Sequence, residues 1–230
     1  MALAIKLTER SFGGKKFRPD TQVFQDKESN LLMCITAWGS QDIAEKVAES
    51  IQNFIALANE DQDVTVPYAR KENLHTMGNI LRMAVIMASE KIYTQHNKDE
   101  YSAAFEIFAA IQDGPQWIYI SCGQPSVVLY RKGMGAIPLC QSIDLNILTT
   151  QQQVHDPLPN QLLGLGQHPP INYGNVCIKA TDKIALVSRT FLPNDFFRLE
   201  EDDFNQKEIA TVLAKNDENI PFWLGFIGFD

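Results

Sequence analysis

Cysteine and histidine are scarce in this chain, four of each among 230 residues. Cys34, Cys122, Cys140 and Cys177 are never at zinc-ribbon or Cys-x-x-Cys spacing, so neither motif is present. Each stands beside apolar residues. The expectation is buried free thiols and no disulfide framework, since a chain of this length can build its own core. His75, His96, His155 and His168 have no histidine three or four residues away, which leaves no helical zinc pair. His75 borders an apolar stripe and is expected packed or at its rim. Gly-x-Ser-x-Gly is absent, and Gly133-x-Gly135 and Gly164-x-Gly166 lack the third glycine of a nucleotide loop. Both pairs read as turns. Positive charge is short as well: 20 Lys and Arg against 28 Asp and Glu, a net charge of -8. Such a surface is a poor match for nucleic acid or an anionic membrane, and neither is expected as a partner. No apolar run reaches the roughly 18–20 residues that span a bilayer. The opening Met1-Ala2-Leu3-Ala4-Ile5-Lys6-Leu7 is too short for a signal peptide, so a cytoplasmic location is expected.

What the chain has is ordinary globular composition: 45% hydrophobic and 21% charged residues. The length suits one large domain, residues 1–230, that can bury roughly 70–75% of its unfolded surface. Ala2–Leu7 and Asn30–Thr36 read as strands. Ile43, Val47, Ile51, Phe54, Ile55 and Ala58 then recur at steps of three and four, which predicts an amphipathic helix capped by Ser40. A second helix is predicted from Glu72 to Gln95, with Leu74, Met77, Leu81, Val85, Ala88 and Ile92 as its stripe.

Strands dominate the middle. Ala103–Gln112 and Gln116–Cys122 flank the turn signal Asp113-Gly114-Pro115, and Ser126–Arg131 and Ala136–Leu139 flank Lys132-Gly133-Met134-Gly135. The expectation is a four-strand antiparallel meander, with Trp117 and Tyr119 in the core. Its runs are apolar on both faces, as in strands covered on both sides. Gln141–Gly174 reads as a long irregular stretch, of the kind that is often functional. Strands are expected again at Val176–Ala180, Ile184–Ser188 and Pro221–Phe229, and short helices at Asn194–Leu199 and Asn205–Lys215. The acidic run Glu200-Glu201-Asp202-Asp203 reads as a solvated helix flank. Helices and antiparallel strands in this order predict a layered α+β fold.

Six short segments, in order, resemble the signatures of the metal-dependent protein phosphatases of type 2C, the PPM family. Arg18-Pro19-Asp20-Thr21-Gln22-Val23 resembles the family's Arg-x-x-Asn-Glu-Asp. Ile35-Thr36-Ala37-Trp38-Gly39 stands where Asp-Gly-Met-Gly-Gly precedes the first long helix. Gly123-Gln124-Pro125-Ser126, with the strand ending Arg131-Lys132-Gly133, resembles the Gly-Asp-Ser-Arg turn and strand. Leu163-Gly164 resembles the end of the family's long central loop. Thr181-Asp182, followed by an apolar strand and Ser188-Arg189-Thr190-Phe191, resembles Gly-Asp, strand, Ser-Asp-Gly-Leu. Glu218-Asn219-Ile220-Pro221 resembles the closing Asp-Asn-Ile-Thr. The resemblance implies a four-layer α-β-β-α sandwich: two packed, mainly antiparallel sheets flanked by helices.

It also implies an activity whose parts are missing. The family hydrolyses phosphoserine and phosphothreonine with two Mn²⁺ or Mg²⁺ ions and a bridging water. Hard dications need several oxygen ligands, which the family's aspartates supply. Here those positions fall on Val23, Ala37, Arg189 and Glu218, with Trp38 beside Ala37 and Gln124 in the supporting turn. Arg189 puts a cation where a dication belongs, which is strongly repulsive at low dielectric. The expectation is a pseudophosphatase without metal cofactor or catalytic residues, acting as a regulatory or protein-interaction module. Its partner would be a phosphoprotein, kinase or phosphatase. The alternative is an active but atypical Mn- or Mg-dependent phosphatase with ligands recruited from Asp20, Asp26, Asp42 or Glu218. Two readings of Arg189 stay open: an ion pair with Glu218, or an anion pocket with Lys15, Lys16 and Arg18, since guanidinium grips phosphate bidentately.

Overall fold

In the computed structural model the described residues are 5–40, 42–60, 69–143, 145, 156–166, 170–189 and 191–229. The elements begin with strands β1 (Ile5–Phe12), β2 (Thr21–Asp26) and β3 (Leu31–Gly39) and helices α1 (Ile43–Glu60) and α2 (Thr76–His96). Strands β4 (Ala103–Asp113), β5 (Gln116–Cys122), β6 (Ser126–Arg131), β7 (Gly135–Cys140), β8 (Asn172–Cys177) and β9 (Lys183–Val187) follow. Helices α3 (Asn194–Phe197) and α4 (Gln206–Asn216) precede the last strand, β10 (Phe222–Phe229).

The chain divides into two compact units. The first comprises residues 1–20, 123–160 and 178–230. Its antiparallel sheet runs β1-β10-β9-β6-β7. Phe196, Phe204, Ile209 and Leu213 from α3, α4 and the segment between them bury themselves with Val128, Tyr130, Val187 and Leu224 of this sheet. Tyr130 and Phe204 stack at 4.7 Å between ring centroids. Asn205 caps α4 by accepting from the amides of Lys207 and Glu208, at 3.1 and 3.0 Å.

The second unit comprises residues 21–122 and 161–177, and its antiparallel sheet runs β2-β3-β4-β5-β8. The expected stripe of α1 buries Ile43, Val47, Ile51 and Ile55, and that of α2 buries Leu81, Val85, Ala88 and Ile92. Both stripes meet Leu31, Met33 and Ile35 of β3 and Phe105, Ile107 and Ala109 of β4. Each such Leu or Ile contributes roughly 1.5–3 kcal/mol by leaving water. Leu163 bridges to Phe105 in this core, and Gly164 follows at φ 88. A Cβ there would sit 2.8 Å from the Ile92 side chain, which is why glycine stands at this position.

Several expectations are corrected. The four-strand meander is two hairpins in two different sheets: β5 pairs with β4 and β8, while β6 pairs with β7 and β9. β2 was not expected; it exists because it pairs with β3 along its whole length. β1 extends to Phe12, well past Leu7, and residues 1–4 lie outside the described set. α1 begins at Ile43, and the Ser40 hydroxyl donates to the Asp42 carboxylate instead of capping the helix. α2 begins at Thr76, four residues late, capped by His75, whose ring accepts from the Met77 amide. β8 lies partly inside the stretch expected to be irregular; residues 144, 146–155 and 167–169 of that stretch, with His155 and His168, are outside the described set. Of the four thiols only Cys34 and Cys122 are buried; Cys140 is half-buried and Cys177 exposed. Trp117 and Tyr119 are buried as expected.

Candidate functional site

β1 and β10 pair so that Phe12 faces Phe222, and their rings stack at 4.6 Å. Each ring of this pair also carries a guanidinium: Arg10 lies 4.8 Å from the Phe12 centroid and Arg189 lies 5.8 Å from that of Phe222. Beside the aromatic pair, within the first unit, is a small cleft lined by Arg18, Asp20, Ser188 and Trp223. Nε and Nη1 of Arg18 are shut off from solvent. Ser188 is locked: its Oγ accepts from the Trp223 amide at 2.6 Å and donates to the Trp223 carbonyl at 3.3 Å. The amides of Lys15 and Lys16 both donate to the Asn219 carbonyl, at 2.9 and 3.2 Å, which ties the segment before Arg18 to the one before β10. Lys15 is exposed.

Arg189 is 3% exposed, and its guanidinium is taken up elsewhere. Nη1 donates to the Leu213 carbonyl, and Nη2 to the Asp217 carbonyl at 3.1 Å. Both carbonyls lie at the C-terminal end of α4, where the helix dipole is negative; that of Leu213 also accepts from the Asp217 amide at 3.3 Å. Burial pulls the Arg189 pKa below the usual arginine value, and the charge of Asp217 opposes that pull. The ion pair with Glu218, one of the two readings open for Arg189, does not form; the guanidinium goes to Leu213 and Asp217 instead. Glu218 is exposed in the turn after α4. Gln124 is 5% exposed at the start of the β6 hairpin.

In the second unit the predicted positions lie on β2 and β3. Val23 pairs with Cys34, and Ala37 with Phe105. Ala37 packs with the helix-facing core, in line with Met33 and Ile35. Strand alternation therefore turns Thr36 and Trp38 to the opposite face. The one-residue difference matters, because on that face Thr21, Thr36 and Glu106 stand side by side in register across three strands. The Thr21 and Thr36 hydroxyls are 2.9 Å apart. Trp38 Nε1 donates to Glu106 Oε2 at 3.1 Å. Glu106 is 1% exposed, a buried carboxylate that sequence reasoning passed over. Its signal was available: one charge within the apolar run Ala103–Ile111. Burial, with the Glu106 charge adding to it, pushes the Cys122 thiol up to about 12 and removes it as a nucleophile.

Two of the carboxylates considered as substitute ligands are held locally. Asp26 accepts from the Ser29 hydroxyl at 2.6 Å and the Glu28 amide at 2.9 Å. Asp42 pairs with Lys46 at 2.5 Å. Among the described residues no three His, Cys, Asp or Glu side chains gather as a metal-binding group.

No family model matches the sequence, and no curated protein matches it. Solved structures match along nearly the whole chain. The PPM Ser-Thr phosphatase MsPP from Mycobacterium smegmatis, in complex with cacodylate, is 12% identical over 98% of both chains, with a TM-score of 0.63. PppA, a key regulatory component of T6SS in Pseudomonas aeruginosa, is 8% identical over 100% of this chain and 99% of its own, at 0.66. The catalytic domain of the serine threonine protein phosphatase PstP, in complex with two manganese ions, is 13% identical over 99% of both, at 0.64. Identities this low carry the fold alone: two antiparallel five-strand sheets flanked by helices, the α+β sandwich of the PPM phosphatases.

Proposed function

We propose that residues 1–230 are a single type 2C phosphatase-like domain that has lost two-metal hydrolysis and works as a regulatory or protein-interaction module in the cytoplasm. Arg189 carries the reading. It stands where the resemblance puts a metal-binding aspartate, and its guanidinium holds the end of α4. The donor set at the other positions supports it. Val23 and either Ala37 or Thr36 bring no carboxylate, and Glu218 is exposed. One carboxylate and a cation do not fit two hard dications.

The partner in this reading is a phosphoprotein, kinase or phosphatase. Arg18, with Lys15 and Lys16 nearby in sequence, is the candidate grip for an anionic group, and Arg189 drops out of that set. A regulatory role accords with the description of PppA as a regulatory component. Calorimetric titration with Mn²⁺ and Mg²⁺, with phosphopeptide hydrolysis on the same sample, tests the reading. Absence of both metal binding and turnover is the expected result; tight binding with turnover overturns it.

One observation favours the second reading, an active Mn- or Mg-dependent phosphatase with recruited ligands. Asp20 lines the same cleft as Arg18. Asp26 and Asp42 are engaged with their own neighbours. Under that reading Asp20→Asn abolishes turnover in the same assay.

A further inference from the structure

The two sheets have four edge strands, β1, β7, β2 and β8. An edge strand offers unpaired N–H and C=O groups to any passing chain, and charges, prolines and bulges are the usual guards. β1 carries Lys6, Glu9 and Arg10. β7 carries Pro138, and its pairing with β6 shifts register between Val127 and Val128. β2 ends in Asp26. β8, Asn172-Tyr173-Gly174-Asn175-Val176-Cys177, has no charge and no proline. All six of its residues pair with β5 in regular register, and among the described residues no strand pairs with its other edge.

The side chains beside this edge give it a charge preference. Lys71 Nζ lies 3.0 Å from the Tyr173 hydroxyl and 4.9 Å from its ring centroid. The Lys71 backbone is clamped by Asn79, whose side chain accepts from its amide at 2.8 Å and donates to its carbonyl at 2.9 Å. Lys71, with Arg82, holds the Tyr173 hydroxyl below its usual pKa. Both charges that bear on Tyr173 are thus cationic. A second copy joined edge to edge would bring the same cations to the junction.

We propose that the outer edge of β8, over residues 172–176, takes up an extended acidic segment of a partner protein as a sixth strand, with its carboxylates beside Lys71. Main-chain hydrogen bonds supply affinity in this mode, and alternate side chains supply selectivity. The proposal is independent of the lost aspartates, so metal binding or turnover leaves it standing.

The test uses the full chain and synthetic peptides of about seven residues, an ordinary strand length. One alternates Glu with Val, one has Lys for Glu, and one is the acidic peptide N-methylated at alternate residues. Amide chemical shifts locate binding, and fluorescence anisotropy measures it. The acidic peptide is expected to shift the amides of residues 172–176. The basic peptide is expected to bind about tenfold weaker, and Lys71→Glu to invert that preference. The N-methylated peptide is expected not to bind. Equal binding of acidic and basic peptides overturns the proposal, as do shifts confined to other regions. Self-association through β8 by light scattering, without peptide binding, overturns it in favour of a second copy.

Discussion

Arg131 grips Asp182 with two parallel hydrogen bonds, Nε to Oδ1 at 3.0 Å and Nη2 to Oδ2 at 2.6 Å. Asp182 Oδ2 also accepts from the Lys179 amide at 2.9 Å. The pair joins the end of β6 to the start of β9, where Tyr130 faces Lys183. It also joins two of the six segments that carry the phosphatase resemblance. Arg131 and Asp182 are therefore explained by folding, whatever the chain catalyses.

The Asp182 side chain is 0% exposed and that of Arg131 19%. Removing one partner strands a buried charge, which typically costs about 3–5 kcal/mol. Arg131→Met is expected to lower the urea midpoint by that equivalent. The double variant Arg131→Met with Asp182→Leu should recover most of the loss. A double variant no better than the single one would mean the pair is not the source.

Trp38→Phe removes a donor to a buried carboxylate while keeping an aromatic ring. The expected cost is about 1–3 kcal/mol, since Glu106 loses a bond that water cannot replace. With Glu106→Leu in the same background, the cost should largely vanish. A double-mutant cycle by chemical denaturation reads the coupling directly.

Asp42 is a pH probe for the start of α1. The hydrogen bond from Lys46, and then that from Ser40, lowers its pKa from 3.8 to about 2. A depressed folded-state value means the stabilisation is fully present above the unfolded value of 3.8. It is lost as pH falls through about 2. Carboxyl shifts followed by NMR should put the Asp42 midpoint well below that of Asp42 in Lys46→Ala. Identical midpoints would remove Lys46 as the cause.

Sequence periodicity located both long helices and the two hairpins, because those signals are local. Asp113-Gly114 marks the β4–β5 turn, with Gly114 at φ 58. Which sheet a hairpin joins is not local. β5 turns to β8, some fifty residues on, and β6 to β9 at a similar separation, so two adjacent hairpins read as one meander. The candidate site was legible in residue types and not in side-chain direction. The motif order puts Ala37 at the aspartate position, but pleating puts its neighbour Thr36 on the face with Thr21 and Glu106. The destination of Arg189 depends on where α4 ends, which no motif around Arg189 encodes.

Exposure ranks the thiols. Cys177 is exposed on an edge strand, whereas Cys34 and Cys122 are buried. The Cys122 pKa near 12 keeps it protonated at any ordinary pH. Mass spectrometry after brief alkylation of the native protein should show Cys177 modified first and Cys122 untouched until the chain unfolds. Early loss of the Cys122 thiol would contradict its burial.

Arg189→Asp is the sharpest probe, because it writes back the residue that the resemblance expects. In the PPM pattern that aspartate is a metal ligand. Here the replaced guanidinium donates to Leu213 and Asp217 at the end of α4 and lies against Phe222. A carboxylate cannot donate to those carbonyls, and it would face the negative end of the helix dipole. Loss of one buried and one part-buried hydrogen bond from a charged group, with repulsion added, is expected to cost about 3–5 kcal/mol. Val23 and Thr36 would still bring no carboxylate, so Mn²⁺ should give neither a calorimetric signal nor stabilisation of the variant against heat. Arg189→Lys keeps the charge with one compact donor group and should lie between the two in stability. A variant that unfolds like wild type and gains Mn²⁺-dependent stability would show that the site needs only this one side chain restored.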